Sequence, residues 1–397
     1  MKKYSNNMRI HQLMSLLSVV GEYPVCSLDL LGEKRGARLL VSDLTAKQEF
    51  WNIDNDEVFD CVAVGLSGKG KYKTIRLRKR AVPMLSWCGG EAHYEENYMQ
   101  STFSGSIEYV DRNHRVAETV AMVQGAGIEY RPWAMPELQT DIQDKNNICE
   151  AVYYTSRKIK KSYDDIPQFI GSTRFTGVLM TPKDAFTVYN ARDGVMKWGH
   201  KGEYKSLNII KECVACNTQN NNVTKMILMG RTLEIVMETI SQSEKEEAIE
   251  IRKNRKQKYK SYTSIPSIYR TVHYVPLSEF GQKLLKILTV PDYRGKVLRL
   301  IYEEDELSNG TENFVYDAYR KNRYVLSFLD GDITRLRQFK KTMLDYQKKG
   351  EPVSCAVLCF KEQSEEVTEY MSDCEDVNIP TVKIENVLKL LQEDGEI

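Results

Sequence analysis

The densest group of chemically active side chains is a basic stretch, GKGKYKTIRLRKR, at residues 68–80. It places seven lysines and arginines in thirteen positions of a chain whose formal net charge is only +1. A Lys or Arg that meets a phosphate of duplex DNA releases condensed counterions, and this release supplies affinity without regard to base sequence. The stretch therefore predicts a DNA-binding surface whose candidate contacts are Lys69, Lys71, Lys73, Arg76, Arg78 and Arg80.

A second basic group lies in KRGARLLVSDLTAKQEF, residues 34–50, whose pattern predicts a helix. Leu40 and Leu44 share one face of that helix, while Arg35 and Arg38 fall on the opposite face. Arginine can read guanine edges in the major groove. Together with Lys34, these arginines are the candidates for base readout. Residues 1–80 carry 14 Lys and Arg against nine Asp and Glu, a local net charge of +5.

Other interpretations of the basic stretch remain open or can be set aside. GLSGKGKYKT lacks the spacing of a phosphate-binding nucleotide loop, and a strand rather than a helix follows it. A solvated surface or a protein-docking patch remains an alternative. The acidic segment DNDEVFD, residues 54–60, directly precedes the predicted hairpin and would have to face away from DNA.

Three carboxylates raise the question of a metal-dependent nuclease. Residues 278–360 suggest helix, three strands, helix and strand, which is the core order of restriction-type nucleases. Such a site needs an Asp, here Asp317, and an acidic-x-Lys pair on the next strand to hold Mg²⁺ and position water. Asp330 and Asp332 have no lysine at that spacing. We expect these two aspartates to cap the helix that follows, and we expect no catalytic residue and no cofactor.

Histidine and cysteine patterns favour neither catalysis nor metal binding. The five histidines are isolated from one another, so relaxase-type and tyrosine-recombinase sites are not indicated. Cys213 and Cys216 stand at zinc-ligand spacing, but no second pair accompanies them. Nine scattered cysteines suit a reducing compartment. We expect buried thiols and no metal.

The elements that would position the basic residues have the order of a winged helix. Ile10, Leu13, Leu16, Leu17 and Val20 indicate a helix over residues 8–21, and SLDLLG predicts a second helix with Ser27 as N-cap. The third helix is followed by strands FDCVAVGL and YKTIRLR, with Ile75 and Leu77 facing inward, and by a closing helix AVPMLSW. We predict a winged helix-turn-helix domain at 1–88.

A connector over 89–140, containing the helix HRVAETVAMVQGAG, leads to an α/β region at 141–397. Hairpin, helix, strand, helix is predicted twice, in units 150–241 and 270–397. A diverged duplication and convergent α/β patterns are both open. Between the units, SEKEEAIEIRKNRKQKYKSY predicts a charged linker or surface helix, with a second nucleic-acid contact as the alternative.

Composition places the chain among ordinary folded proteins. Charged residues make up 28% and apolar residues 42%, and no apolar run approaches the length of a membrane span. The start of the chain imitates a signal peptide, but serines break its apolar run, and an amphipathic helix is the better interpretation. We expect a cytoplasmic protein with no membrane partner.

The chain resembles the replication-relaxation proteins of plasmids and conjugative elements of Gram-positive bacteria. The residues that carry the resemblance are KTIRLRKRAVPML, HRVAETVAMVQGAGIE, YYTSRKIKK, GSTRFTGVLMTPKDAFTVYNARDGVMKW and LSFLDGDITRLRQF. The resemblance implies an N-terminal winged helix that binds DNA and a C-terminal α/β region similar to restriction-type nucleases. This chain departs from a competent nuclease motif at the strand before Asp330 and Asp332.

These observations predict a non-catalytic DNA-binding protein of a mobile genetic element. It would bind a site on double-stranded DNA and recruit replication or relaxosome proteins in plasmid replication or conjugation. A metal-dependent nuclease or nicking enzyme is one alternative, and a winged-helix transcriptional regulator is another.

Overall fold

The computed structural model describes residues 2–6, 8–99, 103, 105–130, 150–161, 173–217, 223–253, 263–308, 310, 314–351 and 353–393. It is a mixed α/β structure, as predicted, and it divides into two compact units. The first unit comprises Met1–Met135 with Tyr154–Lys158, and the second comprises Pro136–Tyr153 with Ile159–Ile397. Within the described residues, no helix combines the length and the apolar composition that a membrane crossing requires.

The first part of the chain forms short strands and helices. In chain order these are β1 (Lys2–Tyr4), α1 (Arg9–Val20), β2 (Glu22–Pro24), a 3-10 helix Val25–Leu31, α2 (Lys34–Leu44), β3 (Gln48–Asn52), β4 (Glu57–Cys61), β5 (Val64–Ser67), a 3-10 turn Gly70–Tyr72, β6 (Thr74–Leu77), a 3-10 helix Lys79–Cys88, α3 (Glu91–Tyr94), a π-helix Glu95–Met99, α4 (Ile107–Gly125) and β7 (Glu129–Tyr130). They are followed by β8 (Val152–Thr155) and α5 (Ser156–Lys161).

Two small sheets organise the first unit. One has the strand order β2, β6, β5, with all neighbours antiparallel, and the other has the order β1, β3, β4. The five apolar residues predicted for the first helix are all buried on α1, which confirms that helix. Ile75 and Leu77 of β6 are buried as well, so the predicted alternation of this strand is confirmed.

Three local predictions in the first unit are wrong. The third helix ends at Leu44 rather than Phe50, because residues 48–52 pair with β1 and β4 as strand β3. The predicted strand FDCVAVGL is two strands, β4 and β5, in different sheets. Ser27 is not an N-cap, because it lies at a kink inside the 3-10 helix and its hydroxyl donates to the Glu118 carboxylate at 2.5 Å.

Other first-unit predictions shift in kind or extent. The closing helix AVPMLSW lies within the 3-10 helix Lys79–Cys88, which contains Pro83. The helix predicted over residues 114–127 is α4, which begins earlier but ends at a glycine as expected. Part of the predicted connector, residues 91–99, is helical, with Tyr94 and Tyr98 buried. The loop predicted over residues 135–147 lies outside the described residues.

The second unit contains longer, mostly buried strands. Its elements are β9 (Gly177–Met180), β10 (Ala185–Asn190), α6 (Lys201–Asn217), β11 (Lys225–Gly230), α7 (Leu233–Lys253), α8 (Ile265–Ile268), β12 (Thr271–Pro276), α9 (Glu279–Leu288), α10 (Tyr293–Ile301), β13 (Ala318–Arg320), β14 (Arg323–Ser327), α11 (Ile333–Lys348), β15 (Cys355–Phe360), a 3-10 turn Lys361–Gln363, α12 (Ser364–Tyr370), β16 (Val377–Asn378), β17 (Thr381–Val382) and α13 (Ile384–Glu393). β10 and β15 are buried along their whole length, as expected where helices cover both faces of a parallel sheet.

The same α/β order occurs twice in the second unit. The first module runs from β9 to β12, and the second runs from β13 to β16. In each, the first two strands are antiparallel, and the third and fourth strands each pair in parallel with the strand before them. In space the strands lie in the order β9, β10, β11, β12 and β13, β14, β15, β16.

The repetition extends to individual backbone hydrogen bonds. Thr176 N–H donates to Val188 O at 2.8 Å, and Asp317 N–H donates to Val325 O at 2.7 Å. Ala191 N–H donates to Met229 O at 2.8 Å, as Phe328 N–H does to Leu358 O at 2.7 Å. In this register, the dipeptides Asp-Gly at 193–194 and 330–331 occupy equivalent positions after β10 and β14.

The charged segment between the predicted units is partly helical. Its acidic beginning lies on α7, where Glu244 pairs with Arg337 at 2.6 Å and Glu246 with His200 at 2.9 Å. Glu247 accepts a hydrogen bond from Ser264 N–H at 3.0 Å. This part is therefore anchored to its neighbours rather than merely solvated. The basic end, residues 254–262, lies outside the described residues.

Candidate nucleic-acid interface and buried carboxylates

The basic turn between β5 and β6 presents lysines to solvent. Lys69 and Lys71 are exposed, and Lys73, where the turn enters β6, is half-buried. Gly68 has φ +78°, and a β-carbon there would collide with the carbonyl of Tyr72. The glycine therefore allows the tight return of the chain that places the two lysines at the tip.

Helix α2 directs its basic residues outward. Ala37, Val41 and Leu44 are buried, whereas Lys34, Arg35 and Arg38 are exposed. The predicted division of this helix into a buried and a basic face is thus present, although its buried face is centred on Val41 rather than Leu40. Leu39, also on the outer side, is 58% exposed.

The exposed Arg9 lies beside the basic residues of α2, and it is not among the candidates identified from the sequence. Its guanidinium lies against the start of α2, where a β-carbon on Gly36 would collide with it. The glycine at the third position of α2 therefore makes room for a further cation. The only sequence signal was Gly36 itself, an unfavourable residue inside a predicted helix.

One short helix adjoins both basic groups. The 3-10 helix Val25–Leu31 packs against α2. It also holds the basic turn, because Val25 N–H donates to Lys73 O at 2.9 Å and Cys26 Sγ lies 3.7 Å from Lys71 O. The turn and α2 are thus tied to a common support within the first unit.

Arg76 has a structural partner rather than a free guanidinium. Its Nε and Nη2 donate to Glu22 Oε2 at 2.9 and 2.6 Å, and Glu22 is completely buried. Asn113 Nδ2 donates to the other oxygen, Glu22 Oε1, at 2.9 Å. The guanidinium also lies 4.3 Å from the centre of the Phe103 ring. Arg76 therefore neutralises a buried carboxylate. Arg78 and Arg80 are exposed.

In the second unit, Asp317 is held by an arginine. Arg335 donates to both of its carboxylate oxygens, at 2.7 and 3.1 Å, and Ser327 N–H donates to Oδ2 at 2.7 Å. Asp317 is buried. A bidentate guanidinium already occupies the acceptor positions that a metal ion would use.

Asp330 and Asp332 share a second arginine, Arg294 of α10. Arg294 Nη2 donates to Asp330 Oδ2, and it lies 3.0 Å from Asp332 Oδ2. Asp332 Oδ1 also accepts from Thr334 N–H at 3.1 Å and Arg335 N–H at 3.2 Å, so the predicted helix cap is confirmed for Asp332. Asp330 does not cap the helix; its Oδ1 accepts from Asp332 N–H at 3.1 Å.

The two neighbouring carboxylates have unequal surroundings. Burial, reinforced by the charge of Asp332, raises the pKa of Asp330 to about 8, against the opposing effect of Arg335. Three donors form hydrogen bonds to the carboxylate oxygens of Asp332. Two donors form hydrogen bonds to those of Asp330. Burial therefore favours the protonated form of Asp330.

A cavity of about 230 Å³ adjoins these aspartates. Its lining includes Lys225, His273 and Arg294 together with the hydrophobic residues Leu288 and Val290. His273 Nδ1 lies 2.9 Å from Asp330 O and donates to it, which leaves Nε2 as the acceptor. Burial lowers the pKa of His273 to about 4, so this imidazole is neutral at pH 7.

Among the residues that the structure describes, no three His, Cys, Asp or Glu side chains are grouped so that they could hold a metal ion. The side chains of Cys213 and Cys216 lie outside the described residues. His273, Arg294 and Arg335 were missed from sequence, because each reaches the carboxylates through long-range packing rather than through a local motif.

Comparisons of the chain with protein-family models, with curated proteins and with solved structures find no match.

We expect the Arg76→Met variant to destabilise the β2, β6, β5 sheet by about 3 kcal/mol, because it leaves the buried Glu22 carboxylate without its cation. Hydrogen exchange of peptides covering 22–24 and 64–77, in the full chain, measures this local stability. Peptides of the second unit in the same sample are the internal control. The Glu22→Gln/Arg76→Met double variant should lose less than the single variant. An unchanged exchange rate in Arg76→Met would contradict the structural role.

The raised pKa of Asp330 predicts a pH dependence of stability. Between its unfolded pKa near 3.8 and its folded pKa of about 8, the folded state retains a proton that the unfolded state has lost. Stability from this group is therefore complete at low pH and declines as pH rises. From pH 6.5 to 8 we expect wild type to lose about 2 kcal/mol relative to Asp330→Asn.

The measurement is the free energy of unfolding of both proteins at several pH values, and the difference between their slopes is the quantity compared. His273 is neutral in the folded state throughout this window, and its titration in the unfolded state is common to both proteins, so it cancels from the difference. Parallel slopes in the two proteins would show that Asp330 is ionised throughout.

Proposed function

We propose that the chain binds duplex DNA through its first unit, with the basic β5–β6 turn on phosphate and α2 in the major groove. The observation that carries the proposal is the exposure of seven of the nine candidate DNA-contacting residues. These are Lys34, Arg35, Arg38, Lys69, Lys71, Arg78 and Arg80.

The order of elements supports a winged-helix interpretation of this surface. The chain passes through α1, β2, the 3-10 helix Val25–Leu31, α2, β5 and β6, and the sheet order β2, β6, β5 is the one that a winged helix has. In that interpretation α2 is the recognition helix, and residues 67–73 are the wing. The β3–β4 hairpin is an insertion between the recognition helix and the wing.

The second unit is proposed to act without catalysis. The carboxylates that a restriction-type nuclease would use for Mg²⁺ are instead bound by Arg335 and Arg294. Guanidinium groups in these positions stabilise the fold and oppose cation binding at the same oxygens. By the resemblance noted from sequence, we further propose that the protein serves replication or conjugative transfer of a mobile element by recruiting other proteins to its DNA site.

We expect the Lys69→Gln/Lys71→Gln variant to bind all duplexes more weakly, because phosphate contacts are independent of base sequence. A plot of log affinity against log salt concentration on a random duplex should become less steep by about 0.9 for each phosphate that the variant no longer neutralises. Lys47→Gln, an exposed lysine between α2 and β3, is the matched control and should leave the slope unchanged. A double variant with the wild-type slope would remove the turn from the interface.

We expect Arg35→Gln and Arg38→Gln to act differently, because base contacts specify a site. On a duplex selected by wild type from a random pool, each should cost about 1 to 3 kcal/mol, while binding to random DNA changes little. Competition binding with both duplexes measures the ratio. Equal losses of affinity on both duplexes would show that these arginines contact phosphates. Neither arginine of α2 would then read the base sequence.

A further inference from the structure

The β13–β14 hairpin has an unusual sequence, YRKNRY at residues 319–324. Tyr319 lies directly opposite Tyr324 in the register, and Arg320 lies directly opposite Arg323. Like charges in directly opposed positions destabilise a hairpin. Lys321, at the turn, is a third cation, so three of the four residues 320–323 are basic.

Lys321 occupies a backbone conformation with positive φ, which glycine and asparagine adopt more readily than lysine does. Lys321 has φ +50° and Asn322 has φ +60°, the left-handed conformations of a two-residue hairpin turn. Asparagine and glycine adopt this conformation readily, whereas lysine is strained in it. An exposed cation therefore occupies a position where backbone preference alone would favour asparagine or glycine.

A cluster of aromatic rings lies beside this turn, with the Tyr324 ring tilted by 53° from that of Tyr319 and edge-to-face, at 72°, with that of Tyr316. The ring centres of Tyr319 and Tyr316 each lie 4.9 Å from that of Tyr324, and Phe314 is buried beneath them, 4.8 Å from Tyr324. Tyr319 is 43% exposed, and Tyr316 and Tyr324 are half-buried. We call Tyr316, Tyr319 and Tyr324 the tyrosine platform.

Hairpin geometry does not require such a platform. In the first module the equivalent strands, β9 and β10, are buried along their whole length. The second module has the same register but leaves its tyrosines in contact with solvent. β13 is the edge strand of its sheet, whereas β9 also pairs with β8, and this open edge leaves the tyrosines of the second hairpin accessible.

Three basic side chains of the hairpin flank the platform. Arg320 and Arg323 pair with Glu306 and Asp376 but remain 46% and 37% exposed. Lys321 is exposed. Accessible aromatic faces flanked by cations are the features with which proteins bind single-stranded nucleic acid, because unpaired bases stack on the rings while the cations meet the backbone.

We propose that the tyrosine platform binds single-stranded DNA. Paired bases are already stacked on each other, so the rings can accept only bases that have left a duplex. Lys321 contacts a phosphate, and Tyr319, the most exposed ring, stacks on a base. This site lies in the second unit, and it does not depend on the duplex-binding surface proposed for the first.

The test is fluorescence anisotropy of a labelled 15-nucleotide dT strand with the full chain. Tyr319→Ala should weaken binding roughly five- to a hundredfold, the effect of losing one stacked base. Tyr319→Phe, which retains the ring, should stay within about twofold of wild type on the same basis. Tyr204→Ala, which removes a 44% exposed tyrosine on α6, is the matched control and should have no effect. Lys321→Gln should reduce the salt slope by about 0.7, the value for one phosphate of a single strand.

Three results would overturn the proposal. The first is that the wild-type protein does not bind the dT strand at all. The second is that Tyr319→Ala binds the strand as tightly as Tyr319→Phe, and the third is that Tyr204→Ala loses as much affinity as Tyr319→Ala. Tighter binding of an RNA strand of matching sequence would exclude DNA as the ligand. Hydrogen exchange of peptides covering 314–330 shows whether the hairpin is intact, and a loss of affinity that Tyr319→Phe shares equally would also count against stacking.

The two proposed sites are distinguished by crossing the variants. Lys69→Gln/Lys71→Gln should lose duplex affinity and keep affinity for the dT strand, whereas Tyr319→Ala should do the opposite. If the lysine variant abolishes strand binding while Tyr319→Ala leaves it unchanged, the platform is not the site, and the duplex proposal survives.

Discussion

A carboxylate that is removed from water must be neutralised, and this requirement determines how the chain uses its arginines. Glu22 is completely buried, and Asp317, Asp330 and Asp332 are nearly so. Each is bound by a guanidinium, from Arg76, Arg335 or Arg294. For Glu22 and Asp317, removing the arginine leaves an uncompensated buried charge, which costs far more than the loss of a surface ion pair, whereas Asp330 can meet burial by retaining a proton. Arg76, Arg294 and Arg335 therefore serve to stabilise the fold.

An arginine that pairs with a buried carboxylate does not contribute to the proposed DNA-binding surface, whereas an exposed cation without such a partner can contribute. Arg76 of β6 and Arg78, the residue after the strand, alternate with the buried Ile75 and Leu77, and alternation alone gives the two arginines the same role. Glu22, opposite Arg76 on β2, distinguishes them. Among the described residues, no carboxylate forms an ion pair with Lys69, Lys71 or Lys73. A flexible, strongly hydrated ammonium group suits contact with a phosphate better than it suits a buried ion pair.

The local patterns of the sequence predict the elements more reliably than they predict the partners of charged residues. The 3.6-residue period of α1, the alternation of β6 and the Asp332 cap before α11 are all encoded within a few residues, and the structure has each of them. Residues 48–52 continue a helical pattern, but pairing with β1 and β4 makes them a strand. Long-range pairing overrides a local preference of this kind because it satisfies a whole row of backbone groups.

The candidate sites follow the same division. The exposed basic residues of α2 and of the β5–β6 turn are predictable, since exposure follows from the periodicity of their own elements. Arg294 and Arg335 are not, because the carboxylates they hold come from other parts of the chain, up to 38 positions away for Arg294 and Asp332. An aspartate pair before a helix can be a metal site or a neutralised cap, and only the distant arginine decides between them.

The two α/β modules show how one backbone register can carry different surfaces. The hydrogen bonds that Thr176 and Asp317 make to the neighbouring strand are equivalent, yet only Asp317 carries a charge that requires Arg335. The hairpin of the first module buries both strands, whereas that of the second exposes tyrosines beside three cations. The shared register fixes where the strands lie, and the side chains decide what each module does. β9 pairs with β8 on its other side, whereas β13 is the edge strand of its sheet, so the same hairpin register leaves the tyrosines of the second module accessible to the stacking ligand proposed for them.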